Sequence, residues 1–196
     1  MAEVDPALRQ ELLALLRQEP RGAAQRQGAR VQALITALER GAPADLSKLG
    51  ALELLEGVWE LRWSSSRQPY LAVAPWLENL QVLAPSQGRG MNLLRLPGPL
   101  GPLAAIAVEA QIALANPEAA LGQQRVTVRF ARGGWLGPPW AGARLQWLRA
   151  VQQTFSAWLD ITVLDAELRV CRGNAGTVFA LLRRPDLTPA ELLLPS

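Results

Sequence analysis

The sequence predicts a mainly β (α+β) fold, with an N-terminal helical hairpin followed by an antiparallel β-barrel. Three observations predict it. Two apolar stripes at helical spacing occur near the N-terminus: Leu8, Leu12, Leu15 and Leu16, then Val31, Leu34, Ile35 and Leu38. Beyond them apolar and polar residues alternate by twos in short runs, as at Trp59, Leu61 and Trp63 or at Val126, Val128 and Phe130. Connections rich in Gly and Pro separate the runs. A chain of 196 residues, 49% hydrophobic and 19% charged, can bury one core and lies in the range of single-domain barrels. One domain is expected, with 1–42 as a helical segment packed on the barrel, 43–184 as the barrel and 185–196 as a C-terminal tail.

Asp5-Pro6 starts the first helix, with Asp as N-cap and Pro at the first helical position, where its missing N–H costs nothing. The helix runs to about Gln18, and Glu19-Pro20-Arg21-Gly22 breaks it. A second helix runs from Ala23 to Arg40 and stops at Gly41 and Pro43. Both stripes are expected to pack on the protein's own core rather than lie free on a membrane. Residues 55–65 read as a half-buried strand with Trp59, Leu61 and Trp63 on one face. Residues 79–83 and 90–96 read as strands within a Pro-rich region. Residues 103–115 read as a strand pair, one long bent strand or, on Ala content, a helix, and Asn116-Pro117 ends them. Residues 125–131 form a strand with Val126, Val128 and Phe130 inward. Residues 133–140 read as a rigid loop carrying Trp135 and Trp140, and 143–149 as a strand or a short helix. Residues 156–163 lead into a closing hairpin, whose expected two-residue turn is Gly173-Asn174. That turn places Leu168, Val170, Phe179 and Leu181 on the inward face, and Arg169, Cys171, Val178 and Ala180 on the other.

Composition excludes several chemistries. There is no histidine, so Ser-His and Cys-His nucleophiles, the usual zinc sites and His-ligated haem are excluded. The single cysteine, Cys171, allows no internal disulfide and reads as a small apolar filler. No catalytic residue, metal or cofactor is expected. Gly88-Arg89-Gly90 lacks the rest of a dinucleotide fingerprint. The longest uncharged run, residues 96–108, is broken by three prolines and too short to span a bilayer as a helix. The first ten residues show no basic segment followed by an apolar core, and no secretory signal is expected. Charge is uneven: residues 121–184 carry nine arginines against Asp160, Asp165 and Glu167. That basic side suits anionic headgroups, an acidic partner or nucleic acid.

Leu164-Asp165, Glu167, Leu168-Arg169, Arg172-Gly173-Asn174 and Gly176-Thr177-Val178-Phe179 together resemble the C-terminal signature of the plastid lipid-associated (fibrillin) family of plastids and cyanobacteria. Leu55-Glu56-Gly57-Val58-Trp59-Glu60-Leu61 resembles its opening strand, with Trp63 in place of a Tyr and Ser64 in place of a Thr. The resemblance implies a lipocalin-like barrel without enzymatic activity that binds an apolar lipid or isoprenoid (quinone, carotenoid or fatty acyl chain). It implies a cytoplasmic protein peripherally associated with the thylakoid membrane or with lipid-globule surfaces, plastid-type in homologous settings. A lipid-synthesis enzyme is a further partner, and no nucleic acid is expected. Two other classes stand beside it: a bilin chromophore lyase on a lipocalin-like barrel, and a scaffold that docks a lipid-synthesis enzyme through its N-terminal helices.

A barrel of about eight strands is either filled by side chains or holds one small ligand. Trp59, Trp63, Phe130, Trp147, Trp158 and Phe179 are the candidate apolar wall. Trp59 reads first as a plug, because a Gly-x-Trp opening strand typically closes a lipocalin-type floor. Asp165, Arg169 and Arg172 are the charged candidates. Arg169 ranks first as a structural arginine capping the barrel end near Trp59. Its second reading is recognition of a carboxylate or phosphate head, with Asp165 orienting it. Trp135 and Trp140 are candidates for a membrane interface or for a cap on the barrel mouth.

Overall fold

The computed structural model describes residues 6–68, 71–115, 124–140, 143–154 and 157–194. The expected cap Asp5, the stop at Asn116-Pro117 and Ser156 lie outside them. Four helices are α1 (Pro6–Leu16), α2 (Gly28–Gly41), α3 (Ala51–Leu55) and α4 (Pro189–Leu192). The strands are β1 (Gly57–Ser64), β2 (Glu78–Ala84), β3 (Arg89–Arg95), β4 (Ala105–Leu114), β5 (Arg125–Trp140), β6 (Ala143–Ala150), β7 (Ala157–Leu164), β8 (Leu168–Gly173) and β9 (Val178–Arg183).

Neighbouring strands pair antiparallel from β1 through β2, β3 and β4 to β5, and from β7 through β8 and β9 back to β1. The first residues of β5, Arg125–Val128, pair with β7 and close the ring at eight strands. The rest of β5 runs on past the ring and takes β6 as a partner. The barrel is therefore the fold that the alternating runs predict. Residues 105–114 are one strand, which resolves the strand-or-helix ambiguity. The expected Trp135–Trp140 loop is instead the second half of β5, and its prolines are absorbed at a register shift between Leu136 and Pro139. The second helix begins later than expected, at Gly28, after a 3-10 turn over Ala23–Gln27.

Three apolar layers hold these strands. Inside the ring, Trp59, Leu61, Ile112, Ile161, Phe179 and Leu181 meet one another. Outside β8, β9 and the end of β1, the stripes of α1 and α2 bury Leu168, Val170, Val178 and Ala180. Outside β1 to β4, Leu192 and Leu194 of the C-terminal segment cover Val58, Leu80, Val82 and Leu93. Helical and strand periodicities thus feed separate layers.

Charged side chains tie the outer layers to the ring. Glu60 and Glu78 are nearly buried on the outer face of β1 and β2. Arg21 from the helical segment reaches both carboxylates. Arg184, at the start of the tail, reaches Glu60 at 3.1 Å and Glu78 at 2.8 Å. Arg95 adds a 2.7 Å pair to Glu78. Burial acts to raise the Glu78 carboxyl, but hydrogen bonds from Arg184 and Arg95 outweigh it and hold it below its ordinary value.

Because that acid is depressed in the fold, its contribution is complete above the ordinary carboxylate range. It is lost as pH falls through the folded-state value, which lies below the ordinary one. Glu78→Gln leaves three arginines facing one fewer charge and should cost roughly 3–5 kcal/mol at neutral pH. Urea denaturation across pH 3–7 checks both points, and the variant should show a shallower acid slope than the native chain.

Candidate ligand-binding site

The barrel floor is built from one short motif. Gly57 opens β1, and two residues later Trp59 turns its indole across the barrel end, fully buried. Its ring N–H donates to the Leu55 carbonyl at 2.9 Å, so α3 and the indole seal each other. Arg183, at the end of β9, lies 4.3 Å from the ring centroid. It donates to the carbonyls of Ala166 and Glu56 at 2.8 Å, and to that of Leu54. A Cβ at residue 57 would occupy the space of the Arg183 Nη1, and the positive φ there also favours glycine. The structural arginine beside Trp59, expected of Arg169, is Arg183.

Arg169 has a different place. The closing hairpin does not turn on two residues. The Gly173 N–H donates to the Thr177 carbonyl and the Gly176 N–H to the Gly173 carbonyl, which lengthens the connection. Arg169 therefore pairs with Leu181, and Cys171 with Phe179. The expected inward face of Leu168, Val170, Phe179 and Leu181 is corrected by this shift: Arg169, Cys171, Phe179 and Leu181 point in, while Leu168, Val170, Val178 and Ala180 face the helices.

Arg169 is completely buried, 5.3 Å from the Trp59 ring, in the layer otherwise filled by apolar groups. Its Nη2 donates across the barrel to Gln81 Oε1 on β2. Its Nε and Nη1 have no acceptor, and no carboxylate among the described residues pairs with it. Burial pulls the guanidinium down to about 10, the positive charge of Arg183 adds to this, and only a Cys171 thiolate would oppose it. The group is still cationic at neutral pH. Burial raises the Cys171 thiol, which therefore stays protonated and is not a nucleophile. Each unsatisfied buried donor costs about 1–3 kcal/mol, and more when charged. An apolar side chain of similar volume would serve stability better.

Gln81 also lines a cavity of about 140 Å³ inside the ring, with Leu71, Leu83, Asn92, Phe130, Trp158 and Phe179. Trp158 and Ile112 are shared with a wider cleft of about 1040 Å³ beside β5 and β7. The inner row of β4 does not end at the cavity. Ala110 lines it, and Val108 and Ile106 continue the same face past the ring. Ile106 pairs with Trp135, and Trp135 with Trp147. These three are 57%, 42% and 66% exposed. The outer side of the same strands is covered, since Ala105, Ala107 and Leu136 are buried. The barrel therefore has an open apolar wall on its inner side.

The structure brings Trp59, Phe130, Arg169 and Phe179 together in the interior, and places Trp147 on the wall. It separates the others. Trp158 pairs with Thr127 on the outward face, its ring 3.8 Å from the Arg125 guanidinium, and borders the cavity without pointing into the ring. A register shift between Leu61 and Trp63 turns Trp63 outward against the helices. Asp165 does not orient Arg169. It pairs with Arg9 of α1 at 2.7 Å. Burial acts to raise that carboxyl, but Arg9 and the N–H groups of Glu167 and Leu168 hold it below its ordinary value. Arg172 lies outside and pairs with Glu39 of α2 at 2.6 Å. Trp135 and Trp140 are exposed, the latter at 72%. Sequence reasoning missed Gln81, Arg183 and Ile106. The Gly-x-Trp opening signals that some basic group must fill the space beside Gly57, but not which one.

A closed eight-stranded barrel with a tryptophan floor and a small apolar cavity defines a lipocalin-like protein. Within that class the chain belongs to the fibrillin family, whose model, PAP_fibrillin, matches residues 6–182. Membership places it among lipid-associated plastid proteins, a generally non-enzymatic family. No curated protein and no solved structure matches the chain significantly. Among the described residues no helix is long and apolar enough to cross a membrane, and no cluster of side chains is suited to a metal ion.

Gly57→Ala should strike the floor selectively. It forces Arg183 from its carbonyls and strains a positive φ, for an expected loss of about 1–3 kcal/mol. Thermal unfolding followed by Trp fluorescence measures it. The emission should shift to longer wavelength before unfolding, as water reaches Trp59.

Proposed function

We propose that this chain is a non-enzymatic lipid-associated protein that holds an apolar chain, acyl or isoprenoid, partly inside its barrel and partly along the exposed wall of β4, β5 and β6. One observation carries the reading. The inner face of the barrel continues without a break from the cavity at Phe130 to exposed Trp135, Trp147 and Ile106. An apolar face left open beside a covered outer face marks a contact surface for apolar partners. The cavity alone, at about 140 Å³, matches a benzene-sized void and is too small for a long chain. The remainder of the ligand lies on the wall.

The wall also suits a lipid surface. Indole rings partition to the membrane interface, and Arg149 lies 5.2 Å from the Trp147 ring, where it can meet anionic headgroups. Peripheral association with thylakoid or lipid-globule surfaces follows from this reading and from the family. Trp135, Trp140 and Trp147 are the proposed interface residues. Phe130 and Phe179 are the proposed ligand wall, with Trp59 as its floor.

Flotation with anionic liposomes tests the proposal. The native chain should float, and Trp135→Ser and Trp147→Ser should each weaken binding about tenfold. Both sites are exposed, so melting temperatures should change little. A native chain that stays at the bottom of the gradient, with no quenching of Trp fluorescence by an added quinone or acyl chain, would overturn it.

A further inference from the structure

Among the described residues, nothing neutralises the cation held in the interior of this barrel. Outside the ring arginines meet carboxylates from other segments: Arg9 with Asp165, Arg125 with Asp160, Arg132 with Glu109, Arg172 with Glu39. Inside, Arg169 is fully buried and reaches only the neutral Gln81, with Nε and Nη1 unpartnered. Stability does not require it there, because Arg183 already performs the floor-capping role through three backbone carbonyls. A buried charge without a counterion is expensive unless a counterion arrives with something else.

We infer that the interior binds a single-chain carboxylic acid head-first, with its carboxylate on Arg169 and its hydrocarbon running past Phe130 to the Trp135–Trp147 wall. This inference rests on the lipid-holding function proposed above and names the ligand class. The direction follows from chemistry: a tail-first ligand would leave the two guanidinium nitrogens unsatisfied and add further desolvation. Gln81 marks the meeting point, since it lines the cavity and accepts from Arg169. The choice of carboxylate follows from charge and size. One guanidinium balances one monoanion, whereas a phosphomonoester brings between one and two negative charges at neutral pH. A void of about 140 Å³ admits a carboxylate and a few carbons, so the rest of the chain must leave the ring. The alcohol of the same length shares the hydrocarbon but lacks the charge-assisted hydrogen bonds.

Titration calorimetry of the delipidated full chain with dodecanoic acid, 1-dodecanol and dodecyl phosphate, below their micellar or solubility limits, tests this. The native chain should prefer the acid over the alcohol by about tenfold or more. Arg169→Met should lose that preference, binding the acid at least tenfold more weakly and the alcohol unchanged or more tightly. Equal affinity for acid and alcohol in the native chain, unchanged in Arg169→Met, would overturn the inference and leave the lipid-holding function standing. Tighter binding of dodecyl phosphate than of the acid would overturn the choice of carboxylate. Failure of all three probes to bind the native chain would overturn both readings. Should Arg169→Met not fold, carboxyl-labelled dodecanoate bound to the native chain decides the matter by carbon NMR. The bound carboxyl should stay ionised to at least one pH unit below the free acid, and titration at the free acid's pKa would overturn the assignment.

Discussion

One indole organises this molecule. Trp59 closes the barrel end, and everything near it is arranged around the need to bury a large ring with a polar edge. Leu55 provides the acceptor for its N–H, which fixes the end of α3. Arg183 covers its face and in doing so satisfies three carbonyls at the ends of α3 and of the β7–β8 connection. Gly57 leaves room for that guanidinium. With the floor sealed at Trp59, a ligand of the interior enters from the opposite end. The seal also frees the second arginine near the ring, Arg169, from any role in closure.

Charge is sorted by layer. On the outer face, Glu60, Glu78, Asp165 and Glu39 each meet arginines from another segment of the chain, and these pairs link α1, α2 and the tail to the ring. Several are half-exposed and individually contribute little. The nearly buried Glu78 group, with Arg21, Arg95 and Arg184 around it, is the exception. Inside, the same residue type is unpaired. The contrast cannot come from composition, because arginine is the general basic residue of this chain. It comes from the side of the strand on which each one falls.

That side is the part of the fold which local sequence reads least well. The strands themselves were legible, because alternation by twos survives in Val126, Val128 and Phe130 and in Trp59 and Leu61. The barrel and the family were legible for the same reason, together with Gly57-x-Trp59 and Arg172-Gly173-Asn174. Parity was not. A single extra residue turns a strand over, and this happens between Leu61 and Trp63, between Ile161 and Val163, and between Glu109 and Ala110. The closing connection adds a further shift, through hydrogen bonds from Gly173 and Gly176 that a two-residue turn would not make. Trp63 consequently leaves the interior and Arg169 enters it. The alternation Leu168, Val170 was misleading for a further physical reason. Both faces of β8 are buried, one by the ring and one by the helices, so apolar character does not identify the inside.

The same two-sided burial explains why the wall of β4 to β6 is informative. Where helices or tail cover the outside of the ring, the inside is also filled, and the strand is closed to water on both faces. Along β4 the outer residues Ala105 and Ala107 are covered, while inner-side Ile106 is exposed although apolar. Covering the outside and leaving the inside open reverses the usual order for a strand whose apolar face points to the barrel interior. A strand in that state gains nothing from its exposed Ile and Trp side chains unless a further apolar body is placed against them. The interior cation and the exterior wall then pose complementary demands, one for a counterion and one for a hydrocarbon surface. A single amphiphile lying along the inner face meets both, and neither demand is met by any part of the described chain.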